Sequence, residues 1–401
     1  MRVLQINGGV FGSTGNIMFG IAKKTEEKGI EVLCASPVTT TNRYKEPDRS
    51  YVKIGSFFTR RISVLLGRIS GFQGCFSYFA TKKLIRVIKK FKPDVIQLHT
   101  LHGDYVNLPM LFSYIKKNKI KVVWTLHDCW AFTGHCPHFE AEKCEKWKTQ
   151  CRNCARYKDY PKSLYDNSAK MFRLKRKWFT SVENMTIVTP SRWLADCVKQ
   201  SFLKDYPIEV INNGIDLDVF KPSESDFRIK YNCEDKFILL GVSFGWNEKK
   251  GLDIFCELAE RLSGEYQIVL VGTDDMTDKI LPENIISIHR TQNQKKLAEI
   301  YSAADVLVNP TRADTFPTVN MESLACGTPV LTFKAGGSPE VVDDSCGAVV
   351  PCGDVEALVK EIECINLMKP YPEQSCTQKA KRFNVDTANE NYLRLYKKLY
   401  S

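Results

Sequence analysis

DVLVNPTRADTFPTVNMESLACGTPVLTF, residues 305–333, carries the pattern from which the fold is read. Asp305–Pro310 is a short apolar run of strand length, and Pro329–Phe333 is another. Between them, Pro317–Cys326 reads as a helix, with Pro317 suited to its first turn and Gly327 to its exit. Strand, helix and strand in so few residues build a parallel sheet covered by helices.

The same alternation runs outward in both directions. After Val219–Asp226, a Pro/Ser/acid stretch suited to a linker, Phe237–Val242 and Gln267–Gly272 read as strands. Leu252–Leu262 and Lys295–Ala303 read as helices. In the first half, Val3–Asn7 is a buried strand, followed by the turn GGVFGSTG and a helix to about Lys28. Ile30–Ala35, Val95–His99, Val122–His127 and Thr186–Pro190 are further strands. Leu84, Ile88 and Phe91 mark one helix face, and Leu108–Lys117 another helix. The expected fold class is α/β, with two doubly wound parallel-sheet domains, 1–218 and 219–385, facing each other across a cleft. An amphipathic helix, 386–401, carries Tyr392, Tyr396, Leu399 and Tyr400. Ligands in such sheets sit beyond the carboxyl ends of the strands.

Length and composition fit that division. A chain of 401 residues exceeds what one core supports, and 43% hydrophobic with 26% charged residues excludes gross disorder. MRVLQINGGVFG has no basic segment ahead of a long apolar run, and no stretch of about 18 apolar residues occurs, so a cytoplasmic location is expected. Fifteen cysteines, an odd number, read as reduced thiols rather than a disulfide framework. Residues 1–190 hold 33 Lys/Arg against 14 Asp/Glu, whereas the remainder is net acidic. A polyanionic partner or surface met by the first half alone is therefore expected.

Chemistry concentrates around residues 312–331. Asp314 closes a strand-to-helix loop, and Glu322 lies about one and a half turns into the helix that follows. A helix N-terminus offers unpaired N–H groups and partial positive charge, an anion site without a metal. Lys250, in EKKG ahead of the helix at Leu252, adds a second positive group. A carboxylate such as Glu322 accepts hydrogen bonds from two neighbouring ribose hydroxyls.

The acid-x7-Glu spacing followed by ACGTPV resembles the donor-site signature of glycosyltransferase family 4, retaining enzymes of the GT-B fold that include many of bacterial polysaccharide biosynthesis. INNGID (Ile211–Asp216) with Phe220, TPSRWL (Thr189–Leu194) and TLHD (Thr125–Asp128) resemble further segments of that family. The resemblance implies an acceptor-side first domain, a nucleotide-sugar-binding second domain, and a last helix returning to the first. It implies that Glu322 binds ribose, Asp314 and His127 contact the donor sugar, and Lys250 serves the departing phosphate. The backbone of Phe316, Pro317, Thr318 and Val319 would cradle the diphosphate, and Gly12, Ser13, Thr14 and Gly15 form a loop over donor and acceptor. His99 and Asp104 are candidates on the acceptor side. Two departures stand out. Asp314 occupies a position usually filled by Glu, and the family's phosphate-binding Arg has no counterpart in GVSFGWNEKKG, where Lys249 is the nearest substitute. The implied function is transfer of a sugar from a UDP- or GDP-sugar to a saccharide acceptor, lipid-linked, with no catalytic metal.

Two features lie outside that reading. Cys136, Cys144, Cys151 and Cys154 lie within a Cys-rich insertion at about 129–160; they suit a structural zinc, with free thiols as the alternative. Between Lys53 and Lys92, basic residues including Arg60, Arg61, Arg68, Lys82 and Lys83 alternate with Phe57, Phe58, Leu65, Leu66, Phe72, Phe76 and Phe79. This is the composition of a segment lying on an anionic membrane, here the inner face of the cell membrane; the alternative is buried aromatics beneath solvated charges. A nucleotide-sugar epimerase of similar fold is a rival reading. So is a zinc-containing nucleic-acid-binding protein, but no RNA-binding signature is present and no nucleic-acid partner is expected.

Overall fold

Val3, Leu4 and Ile6 are buried on both faces of the first strand, which places it at the centre of a sheet rather than its edge. In the computed structural model, which describes residues 1–47 and 49–400, that sheet has seven strands in the order β3-β2-β1-β4-β5-β6-β7. They are β1 (Arg2–Ile6), β2 (Glu31–Pro37), β3 (Val52–Ile54), β4 (Val95–Leu98), β5 (Lys121–Thr125), β6 (Met185–Thr189) and β7 (Ile208–Val210). Their pairings are parallel throughout. The crossover helices are α1 (Ser13–Glu26), α2 (Phe57–Ser70), α3 (Tyr78–Phe91), α4 (Leu108–Lys117), α5 (Ser168–Phe179) and α6 (Arg192–Gln200). Local chemistry sets their ends. Ser56 and Thr59 form a reciprocal capping box at α2, and left-handed Gly71 closes it; Asn107 caps α4.

The second unit repeats the plan with six parallel strands in the order β10-β9-β8-β11-β12-β13. These are β8 (Phe237–Val242), β9 (Tyr266–Val271), β10 (Ile285–Ile288), β11 (Val306–Asn309), β12 (Val330–Phe333) and β13 (Gly347–Val350). Its main helices are α7 (Leu252–Arg261), α8 (Gln294–Ala303), α9 (Thr318–Ala325), α10 (Val355–Met368) and α11 (Glu373–Ala380). The two parallel-sheet α/β domains expected from sequence are therefore present, with additional strands at the sheet margins.

The units comprise residues 1–212 with 388–401, and residues 213–387. The break falls ahead of the stretch at 219–226, because Ile215 and Phe220 are buried in the second unit's core. The last helix, α12 (Val385–Tyr400), lies mostly in the first unit. Its Tyr392, Leu393, Leu395 and Tyr396 pack on Val3, Val95, Val123 and Val188, which share one face of the first sheet. The Tyr396 hydroxyl donates to Gln97 Oε1, and Gln97 Nε2 donates to Thr125 Oγ1 at 3.1 Å. No helix among the described residues is long and apolar enough to cross a membrane.

Candidate active site

In the second unit, the loop leaving β11 is fixed from three sides before it reaches α9. Arg312 forms a two-pronged ion pair with Asp253 at 2.8 and 2.6 Å, and its amide donates to the Lys249 carbonyl at 2.9 Å. The turn Glu248–Lys250 is thereby tied to residues 311–314, and Lys250 Nζ meets Asp314 Oδ2 at 2.8 Å. The Asp314 carbonyl accepts from the Gly337 amide at 2.9 Å, and its Oδ1 from the Phe316 amide at 3.3 Å. Lys249, expected as a stand-in for an arginine, contributes its carbonyl to this frame.

Pro317 precedes α9, and no side chain there caps the helix's first-turn amides. Thr318 and Val319 supply the first two of them. A buried ladder fixes the helix. Asn309 Nδ2 donates to Asn320 Oδ1 at 2.7 Å, and Asn320 Nδ2 donates to Ser338 Oγ at 3.0 Å. One turn on, half-buried Glu322 accepts from the Tyr301 hydroxyl at 3.0 Å. Burial raises its carboxyl, and the hydroxyls of Tyr301 and Thr318 partly offset this. Lys250, Asp314, Glu322 and the start of α9 thus belong to one frame at the carboxyl ends of β8 and β11. The expected residues Phe316 and Pro317 form its floor, with the Phe316 ring buried against Phe383.

In the first unit, the candidates gather beyond β1, β4 and β5. His99 Nδ1 and His127 Nε2 are 3.1 Å apart and their rings stack at 14°. The Gln5 amide satisfies its surroundings when its nitrogen donates to Met18 O and to His99 Nε2, both at 3.1 Å. That orientation makes His99 Nε2 an acceptor, so its Nδ1–H donates to His127 Nε2 and the His127 proton lies on Nδ1. Burial keeps His99 well below its ordinary value and pushes His127 down to about 4, with Asp128 opposing. Both rings are neutral near pH 7 and suit hydroxyl recognition rather than charge. Gly12 precedes α1 with φ +78°, and Ser13, Thr14 and Gly15 begin the helix. Asn7 holds this loop, donating to Gly9 O at 2.9 Å and Thr14 Oγ1 at 3.3 Å.

Asp104 sits apart from the histidine pair. It is buried beneath α2, with Oδ1 accepting from the Gly74 amide at 2.6 Å. Burial raises it to about 6, against that amide and Arg60. This is a brace for residues 71–77, not an open acceptor group.

Sequence reasoning passed over His102 and Tyr160. His102 Nε2 meets Asp128 Oδ2 at 2.8 Å and Nδ1 meets the Tyr160 hydroxyl at 2.9 Å. Burial pushes Asp128 up, but His102 and the Trp130 amide outweigh it and hold the carboxyl well below the usual range. Only the position of His102 after a strand could have signalled it.

The four cysteines of the insertion line one cavity of about 330 Å³. Cys136 and Cys154 are neighbours that shift one another, Cys136 upward and Cys154 down to about 7. Among the described residues, no three His, Cys, Asp or Glu side chains converge as a ready metal site. The expected tetrahedral set is therefore not assembled as the side chains stand.

Comparison with known proteins gives two family models, Glycosyltransferase Family 4 over residues 15–219 and Glycosyl transferases group 1 over residues 235–366. WcaC of Escherichia coli (strain K12), named as a glycosyl transferase of colanic acid biosynthesis, is 26% identical over 277 residues, covering 67% of this chain and 66% of that protein. A D-inositol 3-phosphate glycosyltransferase of Mycobacteroides abscessus is 27% identical over 36% of this chain and 35% of its own length. Among solved structures, sucrose-phosphate synthase from Thermosynechococcus elongatus superposes with a TM-score of 0.75 at 17% identity, covering 100% of this chain and 99% of that one. Anabaena HepE, solved with UDP-glucose, superposes with a TM-score of 0.68 at 15% identity, covering 99% and 100%. At such identities these structures speak for the fold alone, the GT-B architecture.

Proposed function

The chain belongs to glycosyltransferase family 4, and from that premise we propose that it transfers a sugar, with retention at the anomeric carbon, from a nucleotide sugar to a saccharide acceptor. The observation that carries the reading is the Lys250–Asp314 ion pair beside the uncapped first turn of α9, with Glu322 on that helix. On donor binding, Lys250 and the amides of Thr318 and Val319 neutralise the diphosphate, Asp314 turns to a sugar hydroxyl, and Glu322 accepts from the ribose. The C1–O bond to phosphate breaks as the acceptor oxygen bonds C1 on the same face. The departing phosphate oxygen takes the acceptor's proton. This chemistry needs stabilisation of a developing anion, which fixed cations and amides provide without a metal. The neutral His99–His127 pair recognises saccharide hydroxyls in the first unit. HepE, which shares the fold, was solved with UDP and UDP-glucose, in keeping with a nucleotide-sugar donor.

The acceptor in this reading is a lipid-linked saccharide of surface polysaccharide assembly, met at an anionic membrane. The name of the WcaC relative supports the pathway class. The membrane is supported by α2, whose inward face is small: Ser63 and Gly67 are its buried residues. Phe58, Ile62, Leu65, Leu66 and Ile69 are 40–72% exposed, and Phe79 on α3 is 77% exposed. Arg61, Arg68, Lys82 and Lys83 are exposed beside them. Basic groups flanking an outward apolar face match an interfacial helix.

The test begins with thermal shifts against UDP- and GDP-sugars, since donor binding raises the melting temperature. Glu322→Gln weakens nucleotide binding, and Lys250→Ala lowers turnover by about 10²–10³ while sparing affinity. Near wild-type transfer by both variants, or dependence on added magnesium after EDTA, overturns the donor assignment. Isomerised donor in the absence of acceptor points to an epimerase. For the membrane, wild type sediments with anionic vesicles at low salt, and Leu65→Gln/Leu66→Gln with Arg61→Gln/Arg68→Gln does not. Wild type that stays in solution removes the membrane.

A further inference from the structure

We propose that Cys136, Cys144, Cys151 and Cys154 bind one zinc ion as a closed tetrathiolate, with the buried Lys175 as its counter-charge, and that the cluster braces the turn following β5.

The case starts from the ammonium. Lys175 on α5 is fully buried. Its Nζ donates to the carbonyls of Trp130 at 2.8 Å and Thr133 at 3.1 Å, and lies 3.4 Å from the centre of the Trp130 ring. All three partners are uncharged, and among the described residues no carboxylate forms an ion pair with it. A buried cation held only by neutral groups is expensive unless negative charge is near. Burial pushes this ammonium down to about 7, and Cys151 and Cys136 are the groups that most oppose the shift. Four thiolates around a zinc ion carry a net charge of −2, which would place an anion beside this cation.

The thiols surround one space, though they do not yet close on a common point. All four line the cavity of about 330 Å³, with Trp147. Cys136 and Cys154 are near neighbours in it, and the Gly134 amide donates to Cys151 Sγ at 3.2 Å. Only glycine permits that approach: a Cβ at Gly134 would lie 2.3 Å from the Ser168 carbonyl and 2.8 Å from Cys151 Cβ. An N–H donated to sulfur stabilises thiolate over thiol. Binding draws Cys144 and Cys151 across the cavity, and each thiol gives its proton to solvent as a zinc–sulfur bond forms.

The segment also needs a staple. From Cys129 to Asn167 its regular structure is the single turn Lys146–Lys148. Phe132, Phe139 and Trp147, with ring centres 4.8–6.5 Å apart, tie it to the first unit's core. A long segment with so little backbone ladder gains most from a metal or cross-link that closes it. Four protein ligands leave no open coordination position, so the ion is structural. Through Lys175 it holds the Trp130 and Thr133 carbonyls, hence the turn that also carries His127 and Asp128.

The test reads metal and needs neither donor nor acceptor, so it stands apart from the transferase reading. Full-length chain purified without chelators from zinc-supplemented cells contains about one zinc per chain by mass spectrometry. Cys151→Ser and Cys154→Ser lose it, whereas Cys352→Ser/Cys364→Ser, at exposed cysteines of the second unit, keeps it. Lys175→Met binds zinc about 10–100-fold more weakly in chelator competition, the usual effect of losing an outer partner. If the cysteine variants fail to fold, a mercurial added to wild type releases zinc in step with the modified thiols, read by a metal-sensitive dye. Absent zinc, iron in its place, disulfides among these thiols, or full zinc in folded Cys151→Ser overturns the proposal.

Discussion

Gly336→Ala tests whether the frame around Asp314 is set by backbone contact rather than by the Lys250 ion pair alone. Gly336 has φ +56°, and a Cβ there would stand 1.9 Å from the Asp314 carbonyl oxygen, against a floor of 3.0 Å for real contacts. The loop must therefore retreat by more than about 1 Å, breaking the bond from the Gly337 amide to Asp314 O. Left-handed strain contributes about 1–2 kcal/mol and the lost hydrogen bond about 1 kcal/mol. For a unit of this size that total lowers the melting temperature by about 5–10 °C. A 1 Å misplacement of a substrate-holding group costs on the order of 10²-fold in turnover. Gly353→Ala is the internal control: its φ is +84° with nothing within 4 Å of the new Cβ, so it carries strain without collision. Calorimetry gives stability, and nucleotide release from the donor found in the thermal screen gives turnover. Gly353→Ala loses stability alone, whereas Gly336→Ala loses both. Equal turnover in the two variants refutes the backbone clamp.

Lowering the pH probes the first unit. The unfolded chain protonates its histidines near the ordinary 6.5, whereas folded His127 waits until about 4. The unfolded state takes the proton first, so stability present above pH 6.5 is lost as pH falls towards 4. His127→Gln flattens part of that slope in urea titrations, His135, held near 4 by burial, supplying more of it. Tyr396→Phe leaves Gln97 Oε1 buried without its donor and destabilises the first unit by about 1–3 kcal/mol, seen as a lower urea midpoint. Asn320→Ala strands Asn309 Nδ2 and leaves Ser338 Oγ with Thr332 alone, lowering the second unit's melting temperature by about 2–8 °C in calorimetry.

The strands that sequence reading found and those it missed differ in one physical respect. Val3–Asn7, Val95–His99, Val122–His127 and Asp305–Pro310 stand out as apolar runs because β1, β4, β5 and β11 are buried on both faces. The strands missed, β3, β7, β10 and β13, are the four sheet edges, each three or four residues long and only partly buried. An edge strand has little apolar signal to give. Helix α2 escaped a helical reading for a related reason: its apolar residues face outward. In the candidate site, the approach of Lys250 to Asp314 was foreseeable because strand-to-helix loops localise both. The Asn309–Asn320–Ser338 ladder and the His102–Asp128–Tyr160 contacts were not, since they join residues whose proximity only the tertiary fold creates. Asp104 was misread for the same reason: burial under α2 is invisible in sequence.

Helix α12 sets an order on biosynthesis. The ribosome delivers residues 213–387, a complete second unit, before it delivers the helix that covers Val3, Val95, Val123 and Val188. The part made first is therefore the part finished last, the reverse of the usual N-terminal-first progression. Until the final turns emerge, one face of the first sheet is an uncovered apolar surface open to chaperones or to other nascent chains. A stop codon just ahead of Tyr392 removes little of the sequence described, yet it strands that face permanently. Such truncations should accumulate as aggregates, with the second unit folded inside them.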